Sequence, residues 1–174
     1  MNNHLEEIII ELANENVSFI ISGGVAGVLH GLERMTLDLD ISVDRKPENL
    51  KRFIAVMKKL NMVPRAPVQP EIFLDDELLN KIAKEKNALV FTFIDIDNPY
   101  KQVDIFITKR MGYNVLLEDT EEKEMYGVKI RYLTIEKLIE LKQKIEPMRS
   151  KDKWDIDELK KILAIKKGNG SKEK

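Results

Sequence analysis

The sequence of 174 residues contains no cysteine, which excludes both a disulfide framework and a thiolate metal site. Any metal site must therefore use oxygen ligands or the two histidines. No apolar run is long enough to span a membrane, and the N-terminal stretch MNNHLEEIIIELANEN carries acids where a signal peptide needs bases. We therefore expect a cytoplasmic protein with no membrane partner. The length suits one sizeable core, or a core with a helical appendage.

An excess of one charge sign is also lacking, since 29 Lys and Arg residues nearly balance 30 Asp and Glu residues. The net charge of −1 argues against a dedicated nucleic-acid-binding protein. Residues 137–174 nevertheless contain twelve basic and seven acidic residues, a local charge of +5 that leaves −6 for the rest. These two parts could face each other across a site that binds both cations and anions. The charged fraction of 34% with few glutamines hints at a thermophilic source.

Helices and strands alternate in the first half of the chain. Apolar residues at helical spacing predict a helix around residues 5–12, and the run 17–21 before two glycines predicts a buried strand. A helix after the glycines should end near Gly31. Residues 37–44 alternate apolar and polar side chains, which predicts a strand with one buried face. Pro47 is placed to begin the next helix, which extends to Leu60.

The second half combines hairpins with helices. Three prolines exclude a helix throughout residues 62–70, and a short helix is expected over residues 76–85. The strand-like runs 88–96 and 101–108 flank a DNPY turn and should form a hairpin. A weaker hairpin, residues 123–126 and 128–132, surrounds Gly127. Thr134 and Ser150 are the predicted N-caps of the last two helices, residues 135–145 and 151–165.

These elements predict an α/β (α+β) protein with a small mixed β-sheet flanked by helices. Residues 1–133 form the expected core domain, and residues 134–165 form a C-terminal helical extension packed on it. Residues 166–174 form a polar tail that we expect to be disordered. Trp154, on the last predicted helix, is expected to lie in the core rather than to stack on a base.

Three Asp-x-Asp pairs occur, at residues 38/40, 95/97 and 155/157. Only Asp38 and Asp40 lie in the middle of a predicted strand, where residues two apart project to one face about 7 Å apart. Carboxylate oxygens that approach to about 5 Å repel by about 3 kcal/mol at an effective dielectric near 20. Mg²⁺ relieves such repulsion while keeping waters and phosphate oxygens as its other ligands. The alternative interpretation is a solvated outer face of an edge strand.

Gly23 and Gly24 stand between the first predicted strand and the helix that follows it. Their bare N–H groups and the positive end of the helix dipole can bind phosphate oxygens. The alternative is a tight turn without a ligand. Because the acid-bearing strand comes directly after that helix, the turn and the acids would bring an anion site and a cation site together.

The pattern Gly23-Gly24, thirteen intervening residues and then Asp-Leu-Asp-Ile resembles the signature of the DNA polymerase β-like nucleotidyltransferase superfamily. The stretch GGVAGVLHGLERMTLDLDISVD is similar to the branch that includes AbiEii-type toxins, with Arg34 and Thr36 before the acid pair. The resemblance implies the nucleotidyltransferase fold. It also implies that two acids of one strand and a third from a neighbouring strand hold two Mg²⁺ ions, with Mn²⁺ as an alternative.

The third acid should be an outward-facing Asp in an apolar strand of the middle of the chain. Asp104 in VDIFI meets this description, and we prefer it to Asp95, which lies at a strand end beside a turn. In the C-terminal part, Lys142 and the run RSKDKWD at residues 149–155 resemble the Lys, then Arg-x-Lys-Asp-x-x-Asp pattern of the same branch. A cation there could contact phosphate, and the alternative is a set of surface charges.

The resemblance implies transfer of a nucleoside monophosphate from a nucleoside triphosphate to an acceptor, by a two-metal mechanism. The candidate catalytic and metal-binding residues are Asp38, Asp40 and Asp104. The candidate nucleotide-binding residues are Ser22, Gly23, Gly24, Arg34, Thr36 and Lys142. The acceptor is left open between tRNA, a protein and a small molecule such as an antibiotic, and a toxin would have a cognate antitoxin. The alternatives are a catalytically silent nucleotide-binding protein and a metal-dependent glycosyltransferase.

One position departs from the pattern of the superfamily. Gly24 stands where many members have Ser. The hydroxyl contact to phosphate is then missing unless Ser22 or Thr36 replaces it.

Overall fold

The computed structural model describes residues 3–85, 88–125 and 127–170. The helices are α1 (Asn3–Asn14), α2 (Gly23–His30), α3 (Pro47–Lys59), α4 (Asp76–Glu85), α5 (Tyr113–Leu116), α6 (Ile135–Gln143) and α7 (Ser150–Gly170). The strands are β1 (Phe19–Ile21), β2 (Asp38–Val43), β3 (Met62–Pro64), β4 (Val90–Asp95), β5 (Gln102–Phe106), β6 (Thr120–Met125) and β7 (Val128–Leu133). The predicted α/β class is confirmed. Within the described ranges, no helix is both long enough and apolar enough to cross a membrane.

Within the described residues, the strands form one mixed sheet of seven, in the order β3-β4-β5-β2-β1-β7-β6. β1 pairs with β7 and β2 pairs with β5 in parallel, while the other neighbours are antiparallel. Both predicted hairpins are present, as β4–β5 and β6–β7. The parallel β2–β5 pair joins segments far apart in the sequence, and it brings the first acid pair next to the strand that carries Asp104.

The two faces of the sheet differ sharply in polarity. Side chains alternate between buried and half-buried along β2, β4 and β5. The buried members, among them Leu39, Phe93 and Val103, belong to the same hydrophobic core as residues of α1 and α3. Phe93 and Phe53 of α3 meet edge to face, with ring centroids 5.7 Å apart. Because one face of the sheet is committed to this core, the acids between these residues project from the other face.

Several helices begin or end at the residues predicted, and a local contact or backbone conformation accounts for each boundary. Pro47 occupies the start of α3, where its missing N–H costs nothing. Gly31 follows α2 in the left-handed conformation, with φ of 112°, and ends the helix. The Thr134 side chain accepts a hydrogen bond from the Lys137 backbone N–H and caps α6.

The last helix differs from its prediction at both ends. Ser150 is the first residue of α7, and the carbonyl of Arg149 before it accepts from the Asp152 N–H. The helix continues to Gly170, so residues 166–170 are helical and not disordered. Lys166 Nζ lies 3.2 Å from His30 Nδ1, and Lys167 pairs with Glu136 at 3.3 Å, which holds these turns to the fold. Residues 171–174 of the predicted tail, and Tyr126 of the second hairpin, lie outside the described residues.

The prediction that Trp154 lies in the core is wrong, because 45% of this residue is exposed. The buried face of α7 is formed instead by Asp152, Asp155, Ile156 and Leu159, which follow helical spacing. Two charged residues therefore face inward where an apolar tryptophan was expected.

The strand β3 was also not predicted. It ends at Pro64 and lies at the edge of the sheet, where proline is tolerated.

Candidate active site

The three candidate acids lie on one half-buried face of the sheet. In the parallel pairing of β2 with β5, Asp40 is the register partner of Asp104, and Asp38 is the partner of Gln102. Neighbouring strands lie about 4.8 Å apart, so Asp40 and Asp104 are adjacent. Asp95 is elsewhere, at the end of β4 beside Met62, where its Oδ1 accepts from the Asp97 N–H at 2.9 Å. The geometry thus brings together Asp38, Asp40 and Asp104, and leaves Asp95 in a turn.

The repulsion expected between paired carboxylates centres on Asp40. Burial raises the pKa of Asp40 to about 7, with further contributions from the negative charges of Asp38 and Asp104. The positive charge of Lys142 and a hydrogen bond from the Gly24 N–H act in the opposite direction and only partly offset them. A carboxyl group with this pKa is partly protonated at neutral pH when no cation is bound. A bound cation would favour its ionised form.

The glycine turn contacts the acids directly. Gly23 has a positive φ of 57°, and a Cβ built on it would lie 1.9 Å from Asp40 Oδ2. The Ser22 N–H donates to the Asp40 carbonyl at 2.8 Å, which extends the β1–β2 pairing to the first residue before α2. The predicted anion site and the predicted cation site are therefore parts of one surface.

The space around Gly24 is too small for a side chain without a shift of its neighbours. A Cβ at this position would lie 2.5 Å from Thr36 Oγ1 and 3.0 Å from Arg34 Nη2. Thr36 is buried, and its hydroxyl lies 3.3 Å from Asp38 Oδ1. Ser22 and Thr36 were the two residues whose hydroxyl could replace that of a serine at position 24. The Thr36 hydroxyl occupies the space that a side chain at position 24 would need. The presence of Thr36 is thus compatible with glycine at position 24 and leaves little room for a side chain there.

Arg34 and Lys142 converge on a single carboxylate of α7. Asp155 Oδ2 accepts from Arg34 Nη1 and from Lys142 Nζ, each at 2.6 Å. Lys142 Nζ also lies 3.5 Å from Asp152 Oδ1, and Arg149 Nε donates to Asp152 Oδ2 at 2.5 Å. We call these five residues the ionic cluster. It joins α6 and α7 to the segment that precedes the acid pair.

The ionic cluster is mostly buried. Asp152 and Asp155 are each 1% exposed, and Asp155 Oδ1 has no hydrogen-bond partner in the described part of the chain. Burial alone would raise the pKa of Asp152, but the hydrogen bond from Arg149 and the charge of Lys142 outweigh it and lower the pKa. The ammonium of Lys142 is already engaged by two carboxylates, so its effect on the acid face is through its charge. The spacing Asp-x-x-Asp could have indicated this shared helix face.

A second set of polar side chains was not recognised in the sequence. Asp104 Oδ1 accepts from the Thr92 hydroxyl at 2.6 Å, and Asp104 Oδ2 accepts from Gln102 Nε2 at 3.0 Å. Gln102 Oε1 in turn accepts from Arg65 Nη2 at 2.5 Å. These contacts join β5, which carries Gln102 and Asp104, to Thr92 of β4 and to Arg65, the residue directly after β3. The only available signal was the polar position in each alternating strand.

Comparisons with known proteins rest on structure rather than sequence, since no family model and no curated protein matches this chain. The lincomycin-bound crystal structure of the lincosamide antibiotic adenylyltransferase LnuA is similar, with a TM-score of 0.61 at 16% identity. The match covers 93% of this chain and 98% of that one. The crystal structure of ANT(2'')-Ia with adenylyl-2''-tobramycin has a TM-score of 0.58 at 13% identity, covering 98% and 97%.

This chain has the nucleotidyltransferase fold. The fold predicted from the glycine and acid pattern is therefore confirmed, while membership of the AbiEii-type branch stays a prediction. In this nucleotidyltransferase fold the C-terminal helices α6 and α7 are joined by ion pairs to each other and to Arg34. They contribute Lys142, Asp152 and Asp155 to the ionic cluster beside the acid face.

The donor groups of this nucleotidyltransferase fold suit a hard divalent cation. Carboxylate oxygens are preferred ligands of Mg²⁺, and the unrelieved repulsion at Asp40 is what a cation would neutralise. Over residues 3–85, 88–125 and 127–170, however, no three His, Cys, Asp or Glu side chains are arranged to hold a metal ion. The three acids offer the oxygen ligands that Mg²⁺ prefers and share one face of the sheet, but in the described residues they do not form a metal site. Binding would require their side chains to converge further.

Proposed function

We propose that this protein is a Mg²⁺-dependent nucleotidyltransferase that transfers a nucleoside monophosphate from a nucleoside triphosphate to an acceptor. The observation that carries the proposal is the contact between the Gly23 backbone and Asp40, with Asp104 next to Asp40 in register. This arrangement combines backbone donors for phosphate and carboxylates for a divalent cation on one surface.

In the proposed reaction, Asp38, Asp40 and Asp104 would hold two Mg²⁺ ions, with Mn²⁺ as a substitute. When bound, such ions stabilise charge on the attacking and leaving oxygens. The acceptor oxygen forms a bond to the α-phosphorus while the bond to the β-phosphate oxygen breaks, releasing pyrophosphate. Asp104 would accept the proton that the acceptor hydroxyl loses.

The triphosphate would bind at the N-terminus of α2. Gly23 and Gly24 would supply the backbone donors there, and the Gly24 N–H would exchange its contact with Asp40 for phosphate. Ser22, whose N–H is bound to the Asp40 carbonyl, would contribute its hydroxyl. Thr36 and Arg34 border this turn. Lys142, held by Asp152 and Asp155, would contribute its positive charge to the balance of the site rather than a direct contact.

A small molecule is the proposed acceptor. The two similar structures described above are an antibiotic adenylyltransferase and a complex with an adenylylated antibiotic, and the match spans nearly their whole length. This supports a small-molecule acceptor over tRNA or a protein. A toxin role with a cognate antitoxin is a separate proposal that rests only on the sequence resemblance.

A catalytically silent nucleotide-binding protein is the second candidate. It is favoured by the arrangement of the described acids, which does not yet form a metal site. The metal-dependent glycosyltransferase alternative gains no support from the observed fold.

The decisive experiment incubates the protein with α-labelled nucleoside triphosphates and Mg²⁺ or Mn²⁺. Acceptors are a lincosamide, an aminoglycoside, total RNA and the protein itself, and nucleotide binding is measured separately. Asp38→Asn should abolish label transfer, while Asp157→Asn, at an exposed position of α7, should leave it unchanged. Nucleotide binding without transfer to any acceptor would favour the silent protein, and full activity of Asp38→Asn would refute the site.

A further inference from the structure

Asp104 is held more completely than its two acidic neighbours. Its Oδ1 accepts from the hydroxyl of Thr92 in β4, and its Oδ2 accepts from the amide of Gln102, two residues earlier in β5. Thr92 is the antiparallel register partner of Asp104, so its hydroxyl emerges on the same face of the sheet. Both carboxylate oxygens are thereby oriented by donors on well-paired strands.

The Gln102 side chain links the Asp104 carboxylate to the guanidinium group of Arg65. An amide side chain offers a donor and an acceptor at once, and Gln102 uses the donor toward Asp104 and the acceptor toward Arg65. The Arg65 backbone is itself fixed, since its N–H donates to the Thr92 carbonyl at 2.9 Å, directly after β3. Neither an acid nor a base at position 102 could make both contacts.

The contacts leave Asp104 able to bind a further partner. A carboxylate has about four acceptor directions, and the two hydrogen bonds use one on each oxygen. The remaining directions are available to a cation or to the proton of an acceptor. The side chain is therefore oriented without being saturated.

We propose that Thr92, Gln102 and Arg65 are positioning residues that orient Asp104 for binding of the divalent cation. This inference rests on the proposed function, because it takes Asp104 to be a metal ligand. Carboxylates that bind metals are themselves commonly held by hydrogen bonds, and losing such a partner typically costs about 10- to 100-fold in metal affinity or activity. The Thr92 and Gln102 contacts are direct, whereas Arg65 acts through Gln102.

The test measures Mn²⁺ affinity by electron paramagnetic resonance, with and without a non-hydrolysable nucleoside triphosphate. Thr92→Val and Gln102→Met keep the shape of each side chain and remove its hydrogen bond. We expect each to raise the Kd for Mn²⁺ about 10-fold. Thr92→Ser, which keeps the hydroxyl, should bind Mn²⁺ with a Kd close to that of wild type. Arg65→Ala should raise the Kd for Mn²⁺ less than Gln102→Met does.

Urea unfolding of each variant separates misfolding from misorientation. A variant that remains folded but binds Mn²⁺ weakly supports the inference, and Thr92→Ser serves as the matched control. If wild type binds Mn²⁺ and both isosteric variants bind within twofold of it, the positioning role is refuted while the proposed function stands. If wild type binds no Mn²⁺ with nucleotide present, both are refuted. Where an acceptor is known, kcat should fall while KM for the nucleotide is unchanged.

Discussion

Gly23 and Asp40 are in such close contact that a Cβ at position 23 would lie 1.9 Å from Asp40 Oδ2. Gly23 also has a φ of 57°, a conformation that side-chain-bearing residues rarely adopt. Glycine is thus required twice at this position, once for the backbone and once for the approach of the carboxylate. The same contact joins the end of β1, the start of α2 and the acid-bearing strand β2.

Gly23→Ala should therefore destabilise the protein by more than backbone strain alone. The left-handed conformation costs about 1 to 2 kcal/mol for an L-residue, and displacement of Asp40 adds to that cost. Gly127→Ala is the matched control, because Gly127 has a φ of 74° but open space around its Cβ position. Urea unfolding measures both, and equal losses of stability would contradict the proposed importance of the Asp40 contact.

Gly24→Ser should be destabilising in this chain, although serine is frequent at this position in the superfamily it resembles. Its Cβ would meet Thr36 Oγ1 at 2.5 Å, and Thr36→Ala removes that atom. The double variant should then lose less stability than the sum of the single variants, with a coupling of about 1 kcal/mol. Additive losses in urea unfolding would show that Thr36 does not determine the residue at position 24.

Asp155→Asn should destabilise the protein strongly. Its buried carboxylate accepts from both Arg34 and Lys142, and breaking a buried ion pair by removing one partner costs about 3 to 5 kcal/mol. Asp157→Asn changes an exposed acid on the same helix and should alter stability by less than about 0.5 kcal/mol. Similar unfolding midpoints for the two variants would mean that the ionic cluster does not stabilise the packing of α7.

Asp40 should make the metal-free protein less stable as pH rises. Its folded-state pKa of about 7 exceeds its ordinary value of 3.8, so between these values the folded state binds more protons than the unfolded state. The free energy of unfolding therefore falls as pH rises through this window and is level above it. The loss is at most about 4 kcal/mol, since one pKa unit corresponds to about 1.4 kcal/mol.

Asp40→Asn isolates this effect. Without divalent cations, the variant should match wild type near pH 4 and exceed its stability at pH 8, as measured by urea unfolding in chelator. Added Mg²⁺ should stabilise wild type more than the variant. A difference between the two proteins that does not change with pH would contradict the raised pKa of Asp40.

Most secondary structure could be predicted because it depends on local periodicity. α4 matches its predicted bounds, and the apolar alternation around Asp104 indicated a strand acid with neighbours in the core. The burial of α7 was harder to predict, because its inward face carries Asp152 and Asp155 while Trp154 is exposed. A helix face that buries acids is recognisable only when the cations that pair with them are known.

The sequence by itself determined the fold class, the glycine turn and the candidate pair Asp38 and Asp40, because each depends on residue types at short, regular spacing. It offered Asp104 and Asp95 as the third acid, and the pairing of β2 with β5 places Asp104 beside Asp40. Only the tertiary structure decided which side chains support them. The Arg65–Gln102–Asp104 contacts require the register of β3, β4 and β5, and the pairing of Arg34 with Asp155 joins residues 121 positions apart. Such contacts depend on strand pairing and helix packing across the whole core, which no local pattern specifies.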